Sequence, residues 1–126
     1  MDMKKEKKEF SIIARMKSVT HAWRGLGVFL KTTHNAWVQG FCFLLEIILA
    51  IIFRISNTEW ILIILSGGLL LVAEAFNTAI EIDIDLTSPE YHPYAKDTKD
   101  VAAAAVLLSV FVALIIGLII FLPKIF

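Results

Sequence analysis

The sequence predicts an all-α integral membrane protein, with one helix on the membrane surface and three helices that cross the membrane. Of its 126 residues, 58% are hydrophobic and only 19% are charged, whereas soluble domains average about half apolar and a quarter charged residues. Three apolar runs are each long enough to cross a bilayer, which takes about 20 helical residues. Because these runs do not alternate polar and apolar residues, a transmembrane β-barrel is excluded. The whole chain, 1–126, is interpreted as a single membrane domain.

The three membrane spans are predicted at about 37–55, 60–82 and 101–122. Inside hydrocarbon every backbone N–H and C=O must find a partner within its own segment, so each run is expected to be helical. The connection at 56–59 is very short, which makes the first two spans an antiparallel hairpin. The connection at 83–100 is polar and is predicted to be a loop.

A different helix is predicted before the first span, over about 9–33. Its apolar residues recur at steps of three and four, which is one stripe at helical period, and its basic residues lie off that stripe. Such a basic amphipathic helix is typical of a membrane surface, with its apolar face at the acyl boundary. The alternative is a topology anchor without chemistry. The stripe consists of Ile12, Met16, Val19, Trp23, Leu26 and Leu30.

The distribution of charge predicts the orientation in the membrane. Eight of the twelve Lys and Arg residues precede residue 32, and basic segments stay in the cytoplasm under the positive-inside rule. Three spans then place the loop 83–100 inside and the tail 123–126 outside, in the cytoplasmic (inner) membrane of a bacterium. The net charge of zero says nothing about partners, and no nucleic-acid partner is expected.

Four polar residues form an acidic stripe at the end of the second span. Glu74 and Glu81 are seven residues apart, about two helical turns along one face, and Asn77 and Asp85 project close to the same line. A charged carboxylate at mid-bilayer costs on the order of 2.5–3.5 kcal/mol, and intramembrane acids usually line functional sites. Hard oxygen donors of this kind suit Mg²⁺. The alternative is polar contact between helices without chemistry.

Other polar groups carry weaker signals. Glu46, in the middle of the first span, receives no specific role. In the loop 83–100, Lys96 and Lys99 could approach phosphate as point charges, although a loop of this kind is more often just a solvated connector. Neither a Walker-type glycine-lysine loop nor a protein-kinase glycine-rich loop occurs in the sequence, which excludes soluble nucleotide-binding folds of those types.

These motifs together resemble a known family, the prokaryotic diacylglycerol kinases with their undecaprenol kinase relatives. The segment from Glu74 to Asp85 is similar to the family signature E-x-x-N-S/T-A-I-E-x-x-x-D. The segments 90–92 and 95–100 resemble its loop motif, and 21–26 resembles its surface-helix motif. The resemblance covers nearly the whole chain.

The resemblance implies transfer of the γ-phosphoryl group of ATP to the hydroxyl of a membrane lipid, with Mg²⁺, in a homotrimer whose sites lie between protomers. It implies that Glu74 is the general base, that Asn77 orients the site and that Glu81 holds the metal. Glu74 lies deeper in the membrane, where poorer solvation of its carboxylate favours a role as base. The implied nucleotide contacts are Glu81, Glu90, Tyr91, His92, Lys99, Asp100 and His21, and the implied lipid contacts are Glu74, Trp23 and Asn35.

One position departs from the family pattern. Where the family commonly supplies a second metal-binding Glu, the sequence has Thr33, which is assigned to the metal as a weak ligand. Gln39, like Asn35, is placed as a polar group at the lipid interface. The acceptor stays open between diacylglycerol and undecaprenol, although 117–124 resembles the undecaprenol kinase branch. The alternative functions are an oligomeric channel lined by intramembrane carboxylates and a structural membrane subunit.

Overall fold

The computed structural model describes residues 10–126 and folds them into helices joined by short connections. The helices are α1 (Ile12–Thr32), α2 (His34–Ile52), α3 (Asn57–Thr87) and α4 (Pro93–Ile125). By length and composition α2, α3 and α4 can each cross a membrane, which confirms the predicted all-α fold with three spans. The predicted start of the surface helix at residue 9 lies outside the described residues, as do the basic residues Lys4, Lys5, Lys7 and Lys8.

The helices α3 and α4 extend well beyond the hydrocarbon. With 31 and 33 residues and a rise of 1.5 Å per residue, they are about 46 and 50 Å long, against a core of about 30 Å. The region predicted as a loop at 83–100 is therefore mostly helical, and only 88–92 separates the two helices. Helix propagation costs little once a long segment is nucleated, and Pro93 at the first turn of α4 is well placed to start a helix.

One residue, Thr33, separates α1 from α2. Its backbone N–H donates to the carbonyl of Phe29, and the indole Nε1 of Trp37 donates to the carbonyl of Leu30 at 2.7 Å. These contacts hold the last turn of α1 against the first turn of α2, where the first span begins. The apolar stripe of α1 stays exposed, with Trp23 at 69%, as expected of a face that contacts lipid.

The connection at 53–56 makes a tight turn between α2 and α3. Arg54 has a φ of 49°, in the left-handed region, and Ser56 then begins α3 through a reciprocal capping box with Glu59. The other carboxylate oxygen of Glu59 accepts a hydrogen bond from Lys124 at 2.7 Å. This ion pair joins the first turn of α3 to the last turn of α4.

A buried apolar cluster lies at the end of the helices near 53–56. Ile63 is fully buried there, and the rings of Phe53 and Phe121 meet with centroids 6.2 Å apart. Farther along α3, Gly67 lies against Phe43 of α2, so closely that a Cβ at Gly67 would be 2.6 Å from the ring. The core cluster consists of Ala50, Ile55, Ile63, Ile120 and Phe121.

Most large apolar side chains of the spans are nevertheless exposed. Soluble monomers rarely expose contiguous apolar patches of more than a few hundred Å², whereas here whole helix faces are apolar and open. Leu65 of α3 is 64% exposed and Ile119 of α4 is 68% exposed. These surfaces suit contact with lipid chains or with other membrane helices.

Candidate active site

The most deeply buried acid of the described chain is Glu74, in the middle of α3. Its side chain is only 2% exposed, although α3 is a membrane helix. The amide Nε2 of Gln39, on α2, donates a hydrogen bond to Glu74 Oε1 at 2.6 Å. Bonds of this kind to an ionised carboxylate are short and strong. The contact joins α2 to α3 and partly offsets the cost of a carboxylate inside the membrane.

A second polar contact lies one helical turn farther along α3. The hydroxyl groups of Thr33 and Thr78 are 2.7 Å apart, and both residues are buried. Thr33 was predicted as a metal ligand. The structure places it against Thr78, which follows Glu74 by four residues in α3. A hydroxyl oxygen in one hydrogen bond keeps another lone pair, so ligation by Thr33 remains a prediction.

The acidic stripe continues from Glu74 toward the end of the helices near 88–92. Asn77 is half-buried, and within residues 10–126 its buried Oδ1 has no hydrogen-bond partner. Glu81 follows one turn later and is exposed. The predicted stripe thus runs from a buried carboxylate to an accessible one, with an unpaired amide oxygen between them.

These residues fit a magnesium site at which the protein supplies only some of the metal ligands. The unpaired Asn77 oxygen and the accessible Glu81 carboxylate are hard donors, and Mg²⁺ typically takes one or two carboxylates and completes its shell with phosphate and water oxygens. In the part of the chain that the structure describes, no three His, Cys, Asp or Glu side chains converge as a ready-made metal site.

A polar cavity of about 340 Å³ lies around the connection at 88–92. It gathers four of the seven predicted nucleotide contacts, Glu90, Tyr91, His92 and Lys99, together with Lys96. Lys99 Nζ donates to Asp85 Oδ1 at 2.6 Å, and this hydrogen bond raises the pKa of the Lys99 ammonium, which lies ahead of the membrane segment. The lysine thus stays protonated, as a phosphate-binding cation must. The charged and aromatic side chains around the cavity are Asp85, Glu90, Tyr91, His92, Lys96 and Lys99.

The other predicted contacts are not among the residues that line this cavity. Asp100 accepts a hydrogen bond from Lys96 at 2.6 Å, and Glu81 lies between the cavity and Glu74 along α3. His21 and Trp23 are exposed on α1, and Asn35 is exposed at the first turn of α2.

An apolar cavity of about 510 Å³ opens between α2, α3 and α4. Gln39 lines it toward the start of α2, and Leu122 and Ile125 line it toward the end of α4. Cys42 and Glu46 also line it. The carboxylate of Glu46 lies near Gly117, where a Cβ would be 3.5 Å from Glu46 Oε1.

Sequence reasoning placed Gln39 at the lipid interface and missed its contact with Glu74. A polar residue two positions inside a predicted span was an available signal, because a polar side chain in hydrocarbon needs a partner. The sequence did not indicate which partner, since Gln39 and Glu74 are 35 residues apart.

Comparison with known proteins decides the family. The sequence profile of the family described as prokaryotic diacylglycerol kinase matches residues 20–121 of this chain. The chain belongs to the prokaryotic diacylglycerol kinase family. Membership in this family makes it a lipid kinase, and the buried acid, the stripe and the polar cavity all lie within the matched range.

Individual relatives of the family cover most of the chain. An undecaprenol kinase of Bacillus subtilis is 37% identical over 98% of this chain and 99% of its own length. A diacylglycerol kinase of Escherichia coli is 30% identical over 79% of this chain and 82% of its own length. A diacylglycerol kinase of Helicobacter pylori is 32% identical over 80% of this chain and 84% of its own.

Proposed function

We propose that this kinase transfers the γ-phosphoryl group of ATP to the hydroxyl of a membrane lipid alcohol, with Mg²⁺, at the cytoplasmic face of a bacterial inner membrane. The observation that carries the proposal is the buried Glu74 carboxylate in a membrane helix, from which an oxygen-rich stripe leads to a polar cavity with two lysines. A general base near the apolar region and cations near water are what phosphoryl transfer to a lipid needs.

The residues have separate roles in this proposal. Glu74 accepts the proton of the lipid hydroxyl as the new oxygen–phosphorus bond forms and ADP leaves. Asn77, with its unpaired oxygen, orients the reacting groups. Glu81 and, more weakly, Thr33 would hold Mg²⁺, which would neutralise charge on the phosphates of the nucleotide. Phosphoryl transfer depends chiefly on such positioning and on electrostatic stabilisation.

The nucleotide is proposed to bind at the cavity around 88–92. Lys99 and His92 line it and can contact phosphate, while Glu90 and Tyr91 are exposed on its rim and can contact the remainder of the nucleotide. Asp100 and His21 complete the proposed set from outside the cavity. From Asp85 at this cavity to Glu74 is about 16 Å along α3, and Glu81 lies between them, where the terminal phosphates would arrive.

Undecaprenol is the proposed acceptor, and diacylglycerol is the second candidate. The relative that is similar over nearly its whole length acts, by its name, on undecaprenol, and the segment 117–124 resembles that branch. The apolar cavity beside Gln39 suits the hydrocarbon of either lipid. Trp23 and Asn35 are proposed to contact the lipid at the membrane surface.

A homotrimer with the N-terminus in the cytoplasm and the C-terminus outside completes the proposal. The unpaired apolar faces of the spans support an assembly of several copies, because tight helix packing in a membrane buries such faces. The basic residues before residue 32 support the orientation.

A reconstituted assay tests the function. The purified protein in phospholipid vesicles with Mg-ATP should phosphorylate undecaprenol faster than diacylglycerol, and removal of Mg²⁺ should stop both reactions. Glu74→Gln and Glu81→Gln should each lower kcat by about 10² or more, as expected when a general base or a metal ligand is lost.

Asp83→Asn is the matched control, because Asp83 is an exposed acid on the face of α3 opposite to Glu74. It should leave turnover unchanged. A wild-type protein that phosphorylates neither lipid would contradict the function. A Glu74→Gln variant as active as the control would contradict the assignment of the base.

A further inference from the structure

The side chain of Gln39 makes the only direct hydrogen bond from another helix to Glu74 within residues 10–126. The donor is the amide Nε2, the acceptor is Glu74 Oε1, and the distance is 2.6 Å. Gln39 belongs to α2 and Glu74 to α3. The orientation of the carboxylate therefore depends on a residue outside the helix that carries it.

The direction of this hydrogen bond follows from the chemistry of the two groups. An ionised carboxylate can only accept, and an amide offers N–H donors on one side and an acceptor oxygen on the other. The reversed amide would place two acceptor oxygens against each other. The observed contact thus engages Oε1 of Glu74, while no donor of the described chain engages Oε2.

Packing alone does not explain an amide at this position. Oε1 of Gln39 is buried and, within the described residues, without a hydrogen-bond partner, which is a destabilising arrangement. A leucine or methionine of similar size would fill the same space without an unpaired oxygen. The hydrogen bond to the carboxylate is what the amide adds.

The position of Gln39 also connects Glu74 with the apolar cavity. Gln39 lines that cavity together with Val38, Cys42 and Phe43. A lipid alcohol whose chain lies along the cavity would therefore bring its hydroxyl group toward the Gln39–Glu74 pair. The side chain lies where the orientation of the base matters for the reaction.

We propose that Gln39 is a positioning residue for phosphoryl transfer, whose amide fixes one oxygen of Glu74 so that the other faces the acceptor hydroxyl. This rests on the proposed function. In the step that it serves, the O–H bond of the alcohol breaks and its proton passes to the free oxygen of Glu74. The alcohol oxygen bonds to the γ-phosphorus, and the bond from that phosphorus to the β-phosphate oxygen breaks to release ADP.

Kinetics of Gln39 variants in the vesicle assay test the proposal. Gln39→Leu keeps roughly the same volume and removes the donor, so kcat per folded molecule should fall by about tenfold or more, as expected for loss of a hydrogen bond to a charged group, with KM for ATP unchanged. Gly40→Ala is the matched control, because at this next residue of α2 no described atom outside the helix backbone lies within 4 Å of an added Cβ. It should behave as wild type.

Gln39→Glu supplies a rescue that depends on pH. While the two carboxyl groups share one proton, the protonated one can donate to the other, so at acidic pH this variant should turn over faster than Gln39→Leu. As the pH rises, both groups ionise and repel each other, and the advantage should disappear. If Gln39→Leu fails to fold, the activity of Gln39→Glu relative to wild type decides the matter, because it should fall as the pH rises and a flat ratio would overturn the proposal.

The failures of the two proposals are distinguishable. Wild-type protein inactive on both lipids would overturn the function and, with it, the role of Gln39. Active wild type with an equally active Gln39→Leu would overturn the positioning role alone. A variant that loses Tm but keeps kcat per folded molecule, or that changes only KM for the lipid, would show a structural or binding role and would also overturn it.

Discussion

At the scale of single residues, the site joins buried polar side chains in pairs from different helices. Gln39 contacts Glu74, and Thr33 contacts Thr78. Each pair satisfies groups that hydrocarbon would otherwise leave unpaired, at a cost of about 1–3 kcal/mol for each neutral group. At Thr33 the direct hydroxyl contact joins the start of the first span to α3.

A double-mutant cycle checks the Thr33–Thr78 pair. Thr33→Val should lower stability by about 1–3 kcal/mol, because it leaves the buried Thr78 hydroxyl unpaired. Thr78→Val should cost a similar amount for the same reason. The double variant should be more stable than the sum of the two losses predicts, since it leaves neither hydroxyl behind. Thermal unfolding in detergent measures all four proteins, and strictly additive losses would contradict the contact.

At the scale of helices, the approach of α2 to α3 depends on one glycine. Gly67 leaves room for the ring of Phe43, whereas the neighbouring Gly68 has open space where a Cβ would be, as far as the described chain shows. Either glycine is small enough to permit close helix approach in a membrane. Which glycine faces α2 depends on the rotation of α3 about its axis. That rotation is set by the contacts of α3 with α2 and α4 together.

The two glycines therefore make a matched pair of variants. Gly67→Ala should destabilise the protein by about 1–3 kcal/mol through overpacking against Phe43, and Gly68→Ala should not destabilise it. The combination Gly67→Ala/Phe43→Leu should recover part of the loss, because the smaller side chain makes room for the methyl group. Thermal unfolding in one detergent gives the comparison, and equal effects of both alanines would contradict the packing.

At the scale of the whole molecule, ion pairs join α3 and α4 at both ends. Lys124 bonds Glu59 near the connection at 53–56, and Lys99 bonds Asp85 near the connection at 88–92. Between these ends the helices pack through apolar side chains, and outside them the spans remain apolar and open. The Lys99–Asp85 pair holds the start of α4 beside the end of α3 at the polar cavity.

The pair near 53–56 should make stability depend on pH. The hydrogen bond from Lys124 lowers the pKa of Glu59, which lies just outside the membrane segment, below its ordinary value of 4.5. A lowered pKa in the folded state stabilises the protein above the ordinary value, and this contribution is lost as the pH falls through the lowered one. The Tm difference between wild type and Glu59→Gln should therefore be largest near neutral pH and vanish in acid.

The control for this experiment is Glu59→Gln in a Lys124→Met background. Without the ammonium group the effect of the substitution on Tm at neutral pH should be smaller, because the largest cause of the lowered pKa of Glu59 is gone and only the capping hydrogen bonds with Ser56 remain. High salt should also reduce the wild-type effect, since partly exposed ion pairs are screened. A Tm difference that stays constant down to acid pH would contradict the ion pair.

The sequence by itself determined the helices and one face of the site. Apolar runs of about 20 residues must become helices in a membrane, and helical period alone aligns Glu74, Asn77, Glu81 and Asp85. It misjudged the polar connection at 83–100, because composition does not show that α3 and α4 continue as helices beyond the hydrocarbon.

Only the tertiary structure decided which side chains meet across helices. Gln39 and Glu74, Thr33 and Thr78, and Lys99 and Asp85 are each separated by 14 or more residues along the chain. Their contacts depend on how far each helix is rotated and shifted along its axis. Close packing such as that of Gly67 on Phe43 sets these two quantities, and the period of a single helix contains no information about them.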